Sequence, residues 1–257
     1  MFFPPNPPIT SFAGQRIWIA GASTGIGAAT AKAFIAAGAR VAVSARTADT
    51  LEREFGEHAR VLPCDVTDAA ALQAAANTLI AEWGGIDLVI AMAGTYSTMR
   101  ADTLDLAAAK RIVEVNLNGV FNLFAAVRTQ LLAQRSGGFA IVASVAGYGG
   151  LPNSMAYSAT KAACINLAQS MWMDLRAHGI AVTVINPGFV RTPLTATNPF
   201  PMPFLIDADE AAREILKGLA RGEFEIHFPK AFSRLLKLLN LLPHGLYLRL
   251  VKKGTRM

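Results

Sequence analysis

A tyrosine four residues ahead of a lysine, Tyr157-Ser158-Ala159-Thr160-Lys161, opens a long stretch of helical pattern. Helical spacing puts both side chains on one face. A phenol with a pKa near 10 gives up its proton near neutral pH at a cost of about 4 kcal/mol, and a neighbouring ammonium lowers that cost. Such a pair could work as a proton donor or acceptor, or be an ordinary surface pair of a helix. Ser144 favours the chemistry. It stands thirteen residues before Tyr157, at the end of the strand-like run Gly138–Ser144, and parallel sheets place their ligands at the C-terminal ends of strands. A hydroxyl there can donate to a carbonyl oxygen and stabilise developing alkoxide.

A second cluster lies near the N-terminus. After the first strand-like run comes Gly21-Ala22-Ser23-Thr24-Gly25-Ile26-Gly27, opening a helical stretch. Glycines let backbone approach a pyrophosphate and let helix pack closely on strand, and a helix N-terminus offers free N–H groups to an anion. Ser44-Ala45-Arg46 ends the second strand. NAD-binding folds place an acid at about this point to hold the ribose 2′-hydroxyl, and NADP-binding ones use a nearby arginine. Ala45 takes the acid position and Arg46 follows it. A guanidinium can pair with a 2′-phosphate in a forked contact, so these residues predict NADP(H) over NAD(H), with a solvated surface charge as the other reading of Arg46.

The glycine spacing, with Ser144, Tyr157 and Lys161 in that order, resembles the short-chain dehydrogenase/reductase family, whose glycine signature is TGxxxGIG; Ala20 replaces its threonine. The resemblance spans roughly residues 14 to 228. It implies that Tyr157 is the acid in reduction and the base in oxidation. Lys161 would hold the nicotinamide ribose and bias Tyr157, and Ser144 would fix the substrate oxygen. It implies that Asn116 organises a relay water, with Asn118 its competitor. It also matches Asp65-Val66 to an adenine contact, where a helix N-terminal acid is the other reading. Asn186-Pro187-Gly188-Phe189-Val190-Arg191-Thr192 resembles the family's loop facing the nicotinamide, with Pro187, Gly188, the Val190 backbone and the Thr192 hydroxyl as contacts. One departure stands out. The family's NNAG is Ala91-Met92-Ala93-Gly94 here, which keeps Ala93 and Gly94 but neither asparagine.

Such residues need a frame. The 257-residue chain is 53% hydrophobic and 16% charged, which suits a sheet covered by helices on both faces. Strand candidates are Arg16–Ala20, Arg40–Ala45, Arg60–Pro63, Ile86–Ala91, Gly138–Ser144, Ile180–Asn186 and Phe224–Phe228. Helical stretches alternate with them: Thr24–Ala37, Ala69–Trp83, Leu104–Leu132, Met155–Ala177 and Ala208–Leu219. This alternation predicts an α/β fold with a doubly wound, seven-stranded parallel sheet of the Rossmann kind. The expected organisation is an extended arm over residues 1–13, one catalytic domain over 14–228, and a basic amphipathic helical tail over 229–257.

Composition narrows the rest. Cys64 and Cys164 read as buried thiols in a reducing cytoplasm, and His58, His178, His227 and His244 lack ligand spacing, so no metal is expected. The proline-broken N-terminus lacks the basic start of a signal peptide. The net charge of +6 belongs to the tail, where seven basic residues follow Glu225 and no acid does; nucleic acid is not an expected partner. Residues 193 to 206, with Pro199-Phe200-Pro201-Met202-Pro203-Phe204-Leu205, read either as an apolar lid over an apolar ketone, aldehyde or alcohol, or as core packing. In the tail, Phe232, Leu235, Leu236, Leu239 and Leu242 repeat at helical spacing up to Pro243. Three roles compete for it: docking on its own cleft or a sister subunit, peripheral contact with a membrane, and a partner protein's groove. The resemblance further implies a homo-dimer or homo-tetramer. Two other functions compete with an oxidoreductase. The intact Asn116, Ser144, Tyr157 and Lys161 set argues against a silent NADP(H) sensor, and the lack of a substrate domain against a nucleotide-sugar epimerase.

Overall fold

The computed structural model describes residues 4–196, 198 and 200–255; Pro199 of the proposed lid, Arg256 of the tail and the first three residues of the arm lie outside them. Seven strands form one parallel sheet: β1 (Arg16–Ala20), β2 (Arg40–Ser44), β3 (Arg60–Val61), β4 (Leu88–Ala91), β5 (Gly138–Val142), β6 (Ala181–Pro187) and, late in the chain, Glu225–Phe228. Their order is β3-β2-β1-β4-β5-β6 followed by Glu225–Phe228. The chain runs outward from β1 to β3 and then returns to β1's other side, so the winding reverses between β1 and β4. In such sheets that reversal opens a crevice beyond the strands' C-terminal ends.

Period-two burial explains the continuous apolar runs. Along β1, Trp18 and Ala20 enter the core under α3 (Ala69–Trp83), α5 (Gly119–Gln134) and α6 (Met155–Leu175), while Ile17 and Ile19 enter the opposite one. That second core lies under α1 (Gly25–Ala36), α2 (Ala48–Phe55) and α7 (Ala208–Ala220). Both faces are buried, so no position along the strand favours a polar side chain. Arg16 staples β1 to β4 with two guanidinium bonds to Asp87, at 2.6 and 2.9 Å, and a third to the Trp83 carbonyl. The arm is extended and pinned: Asn6 is buried, donates to Val182 O at 2.8 Å and accepts from Trp172 Nε1.

Three expectations change. The helix expected over Leu104–Leu132 is α4 (Leu106–Val113), a π turn over Glu114–Asn118, and α5. Asp105 caps α4 by accepting from Ala108 N, which moves the start past Leu104. The π turn presents Asn116 to the loop after β4, where its amide makes a two-way pairing with the Thr95 backbone at 2.8 and 3.0 Å. The expected strand Arg60–Pro63 pairs only at Arg60 and Val61, although the Leu62 and Cys64 amides still reach Val43 O and Ala45 O. Finally, residues 193–206 begin and end on a two-stranded ribbon, β7 (Val190–Arg191) with β8 (Ile206–Asp207), placed ahead of α7. The last strand of the large sheet is then β9 (Glu225–Phe228), and α8 (Lys230–Asn240) and α9 (His244–Gly254) complete the chain.

Candidate active site

A cleft of about 500 Å³ opens at the crevice between β1 and β4, within the range that holds small ligands. The glycine loop lines one wall with Gly21, Ser23, Thr24, Gly25, Ile26 and Gly27. Its backbone could not carry side chains. Gly21 has φ +107°, and a Cβ there would overlap Ala93 N and Cα; a Cβ on Gly27 would overlap the Gly21 carbonyl oxygen. Without the NNAG asparagines, the Ala93 backbone still packs directly on Gly21, and β4 keeps full register with β1 and β5. Gly27→Ala is expected to lower the melting temperature by about 4 °C or more and to weaken dinucleotide binding at least tenfold, because the carbonyl it displaces belongs to the loop itself. Unchanged values in a thermal melt and a fluorescence titration would mean the loop can yield there.

α1 begins on this loop without a lid of its own. Thr24 makes no side-chain capping bond, and no acid occupies the first turn. Uncapped amides and the positive end of the helix dipole thus face the cleft, the arrangement that accepts a phosphate. At the outer end of the cleft stand Arg46, Asp65 and Val66. Arg46 is exposed and forms no ion pair among the described residues. The Asp65 carboxylate, lying between Arg46 and Arg111, accepts from Thr67 N and Oγ1. These contacts outweigh its burial and hold its pKa below the usual range.

The inner end carries the proton chemistry. Ser144 ends the β5 segment in extended backbone, and its Oγ accepts from Ala146 N at 3.1 Å and donates to Pro187 O at 3.3 Å. Tyr157 and Lys161, one turn apart on α6, line the same wall. The Tyr157 ring meets Tyr96 edge-to-face at 5.1 Å. Burial pushes its phenol up to about 12, and Ser144 offsets that only in part. Lys161 shares the α6 face with Tyr157 that its spacing suggested. Its ammonium, buried and held below the usual range by that burial, sits 5.6 Å from the Tyr157 ring centroid and donates to Val142 O at 2.8 Å.

Asn116 stands behind this group, fully buried and outside the cleft lining. Its Nδ2 also reaches Thr160 Oγ1 at 3.3 Å, its backbone carbonyl accepts from Cys164 Sγ, and a Cβ on Gly94 would fall 3.6 Å from its Oδ1 and 3.7 Å from Lys161 Nζ. Asn118, its competitor in sequence, donates to Glu114 Oε2 at 2.7 Å. The Pro187, Gly188, Val190 and Thr192 loop closes the cleft opposite, beside Ala93 and Gly94. Sequence reasoning missed two lining residues of consequence. Arg111 on α4 brings a second cation near Asp65, which only the chain's path reveals. Thr195 folds the loop's end, its hydroxyl donating to Val190 O at 2.6 Å and accepting from Thr192 N; its Thr-x-x-Thr spacing from Thr192 was the available signal.

The described residues therefore fit a dinucleotide: an anion cradle in mid-cleft, a cation at one end, and a phenol, a hydroxyl and an ammonium at the other. Known proteins agree. The family model for short chain dehydrogenase matches residues 15–200. An uncharacterized oxidoreductase of Myxococcus xanthus is 37% identical over 235 residues, covering 89% of this chain and 93% of its own. Cis-4-hydroxycyclohexanecarboxylate dehydrogenase of Sinomonas cyclohexanicum is 35% identical, covering 83% and 86%. Among solved structures, a short-chain dehydrogenase from Streptomyces avermitilis superposes with a TM-score of 0.80 over 95% of this chain and 98% of its own, at 23% identity, and so shares the fold. The chain belongs to the short-chain dehydrogenase family, oxidoreductases that bind nicotinamide nucleotides and act on alcohol or ketone groups.

Proposed function

We propose that this protein is an NADP(H)-preferring reductase and dehydrogenase of an apolar, lipid-like carbonyl or alcohol. The observation that carries the reading is one cleft with Arg46, which has no ion-pair partner among the described residues, at its outer end and Ser144, Tyr157 and Lys161 at its inner end. The nicotinamide, when bound, supplies or takes up the hydride. The glycine loop and the α1 amides would hold the pyrophosphate, Arg46 the 2′-phosphate, Asp65 and Val66 the adenine end, and Lys161 the nicotinamide ribose. Backbone from Pro187 to Val190 and the Thr192 hydroxyl would hold the carboxamide. Ser144 turns its proton from Pro187 O to the substrate oxygen and polarises it. Tyr157 gives its proton to that oxygen in reduction and takes one in oxidation. Asn116 positions the backbone behind Lys161.

An apolar substrate is supported by the aromatic wall beside the loop. Phe189 stacks on Phe232 at 5.4 Å, Phe204 on the same ring at 6.0 Å, and Phe200 lies 6.1 Å from Phe189. No charged side chain takes part in that cluster. Association of like subunits is supported by Phe121, Met155 and Met173, which α5 and α6 leave exposed. Purified protein given NADPH or NADH and a series of ketones and aldehydes of rising chain length tests the reading. Faster turnover with NADPH and with longer chains is the expected result; preference for NADH or for polar, charged substrates would overturn it.

The pH profile follows from Tyr157. With its pKa near 12, the phenol stays protonated across the neutral range. Reduction, which needs the acid, should show a kcat/KM flat from about pH 6 to 9. Oxidation needs the phenolate, so its kcat/KM should rise about tenfold per pH unit over the same span. A plateau in oxidation near pH 7 would mean that Lys161 leaves Val142 O and stabilises the phenolate directly.

A further inference from the structure

The tail helices have two unlike faces. Inward, α8 and α9 are fixed to the domain. Ser233 is fully buried and accepts or donates at His227 Nδ1, Lys237 pairs with Glu225, and the buried Tyr247 donates to Gly150 O at 2.9 Å. Phe232 stacks on Phe189 and Phe204, and a Cβ on Gly188 would fall 3.0 Å from its ring. Away from these anchors, six leucines stay exposed, with nothing among the described residues covering them. Leu238, Leu241 and Leu248 are 63, 81 and 61% exposed, and Leu235, Leu246 and Leu250 accompany them. Six of the fourteen large hydrophobic side chains exposed among the described residues thus fall within residues 235–250. The pattern is not a failure to pack, because the same helices bury Ser233 and Tyr247 on their other side.

Charge identifies the occupant. Arg234, Arg249, Lys252 and Lys253 are exposed on the same two helices and form no ion pair among the described residues, and no carboxylate side chain follows Glu225. A subunit interface of this chain would bring like charges together, whereas an anionic lipid surface takes both the cations and the leucines. No helix among the described residues is long and apolar enough to cross a membrane, so contact would be from one side. We propose that the α8–α9 hairpin is a docking surface for anionic lipid bilayers.

Sedimentation of the full-length protein with vesicles tests it. Vesicles of phosphatidylcholine with phosphatidylglycerol should carry the protein down in low salt. Phosphatidylcholine alone should not, and neither should the mixture in about 1 M salt, where the screening length falls to about 3 Å. Leu238→Asp with Leu241→Asp, and separately Lys252→Glu with Lys253→Glu, should each reduce partitioning at least tenfold, since one basic residue near the surface is worth about fivefold. Both pairs are exposed, and an unchanged melting temperature keeps the comparison valid. Absence of anion-selective sedimentation in low salt overturns the proposal. So does a fall in oligomeric mass in the leucine variant with no vesicle effect, which would make the face a subunit interface. Neither readout uses turnover, so a failed docking surface and a failed reductase reading are distinguishable.

Discussion

Tyr157→Phe should cut kcat about 10³-fold in both directions while NADPH binding changes by less than about threefold, since positioned acid–base groups contribute on the order of 10²–10⁴. The substitution removes one hydroxyl and keeps the ring that meets Tyr96 at 5.1 Å. The cradle is untouched, because the glycine loop and Arg46 are held by other elements. Folding should suffer little, as the phenol oxygen bonds to no backbone group among the described residues. Single-turnover absorbance in the nicotinamide band, with a parallel fluorescence titration, separates chemistry from binding. Ser144→Ala should lose less, about 10²-fold, because it removes one donor to the substrate oxygen and leaves the proton source in place. If Tyr157→Phe retained more than a tenth of the wild-type rate, the proton would have to come from elsewhere. Tyr96 or a water reached through the cleft would then be the source, and the assignment of α6 as the catalytic helix would fail.

Much of this arrangement is legible in the sequence itself. Strands buried on both faces produce unbroken apolar runs, and Ile17, Trp18, Ile19 and Ala20 announce one without ambiguity. The glycine spacing, Ser144 and the Tyr157–Lys161 pair are local in sequence, so their geometry follows from one turn or one helix face. Contacts between distant segments were not readable. Asn116 breaks a helix that periodicity ran straight through, because its bonds go to Thr95, 21 residues away. Lys161 turns to Val142 O because a buried ammonium needs a nearby acceptor, and the carbonyl is supplied by a strand 19 residues earlier. The helix α2 is a different kind of miss. Leu51 and Phe55 at i and i+4, with Asp49 in the first turn and Arg53 in the last, are a complete local signal for a short amphipathic helix. Brevity and closeness to β2 hid it. In the tail, sequence periodicity alone does not apportion its two faces: Ser233 and Tyr247 pack on the domain while the leucines stay in solvent.

Cofactor choice should invert with two neighbouring substitutions. Arg46→Ala is expected to lower kcat/KM for NADPH about 10- to 100-fold and to leave NADH within about twofold, since a charge-assisted bond contributes about 1.5–3 kcal/mol. The lower end of that range suits an exposed guanidinium, and the effect should shrink as salt is raised. Ala45→Asp works from the other side. A carboxylate at the end of β2 would accept from the ribose hydroxyls of NADH and repel a 2′-phosphate, so NADH should gain while NADPH loses. The double variant should therefore prefer NADH outright. Arg46 is exposed and Ala45, partly buried, packs at the margin of the second core, so a thermal melt of each variant separates altered preference from damage to the fold. The informative failure is an Arg46→Ala variant with unchanged NADPH affinity. Arg111, whose guanidinium already lies 3.5 Å from Asp65 across the same end of the cleft, would then be the cation that reads the phosphate. Arg111→Ala in the same assay would decide between them.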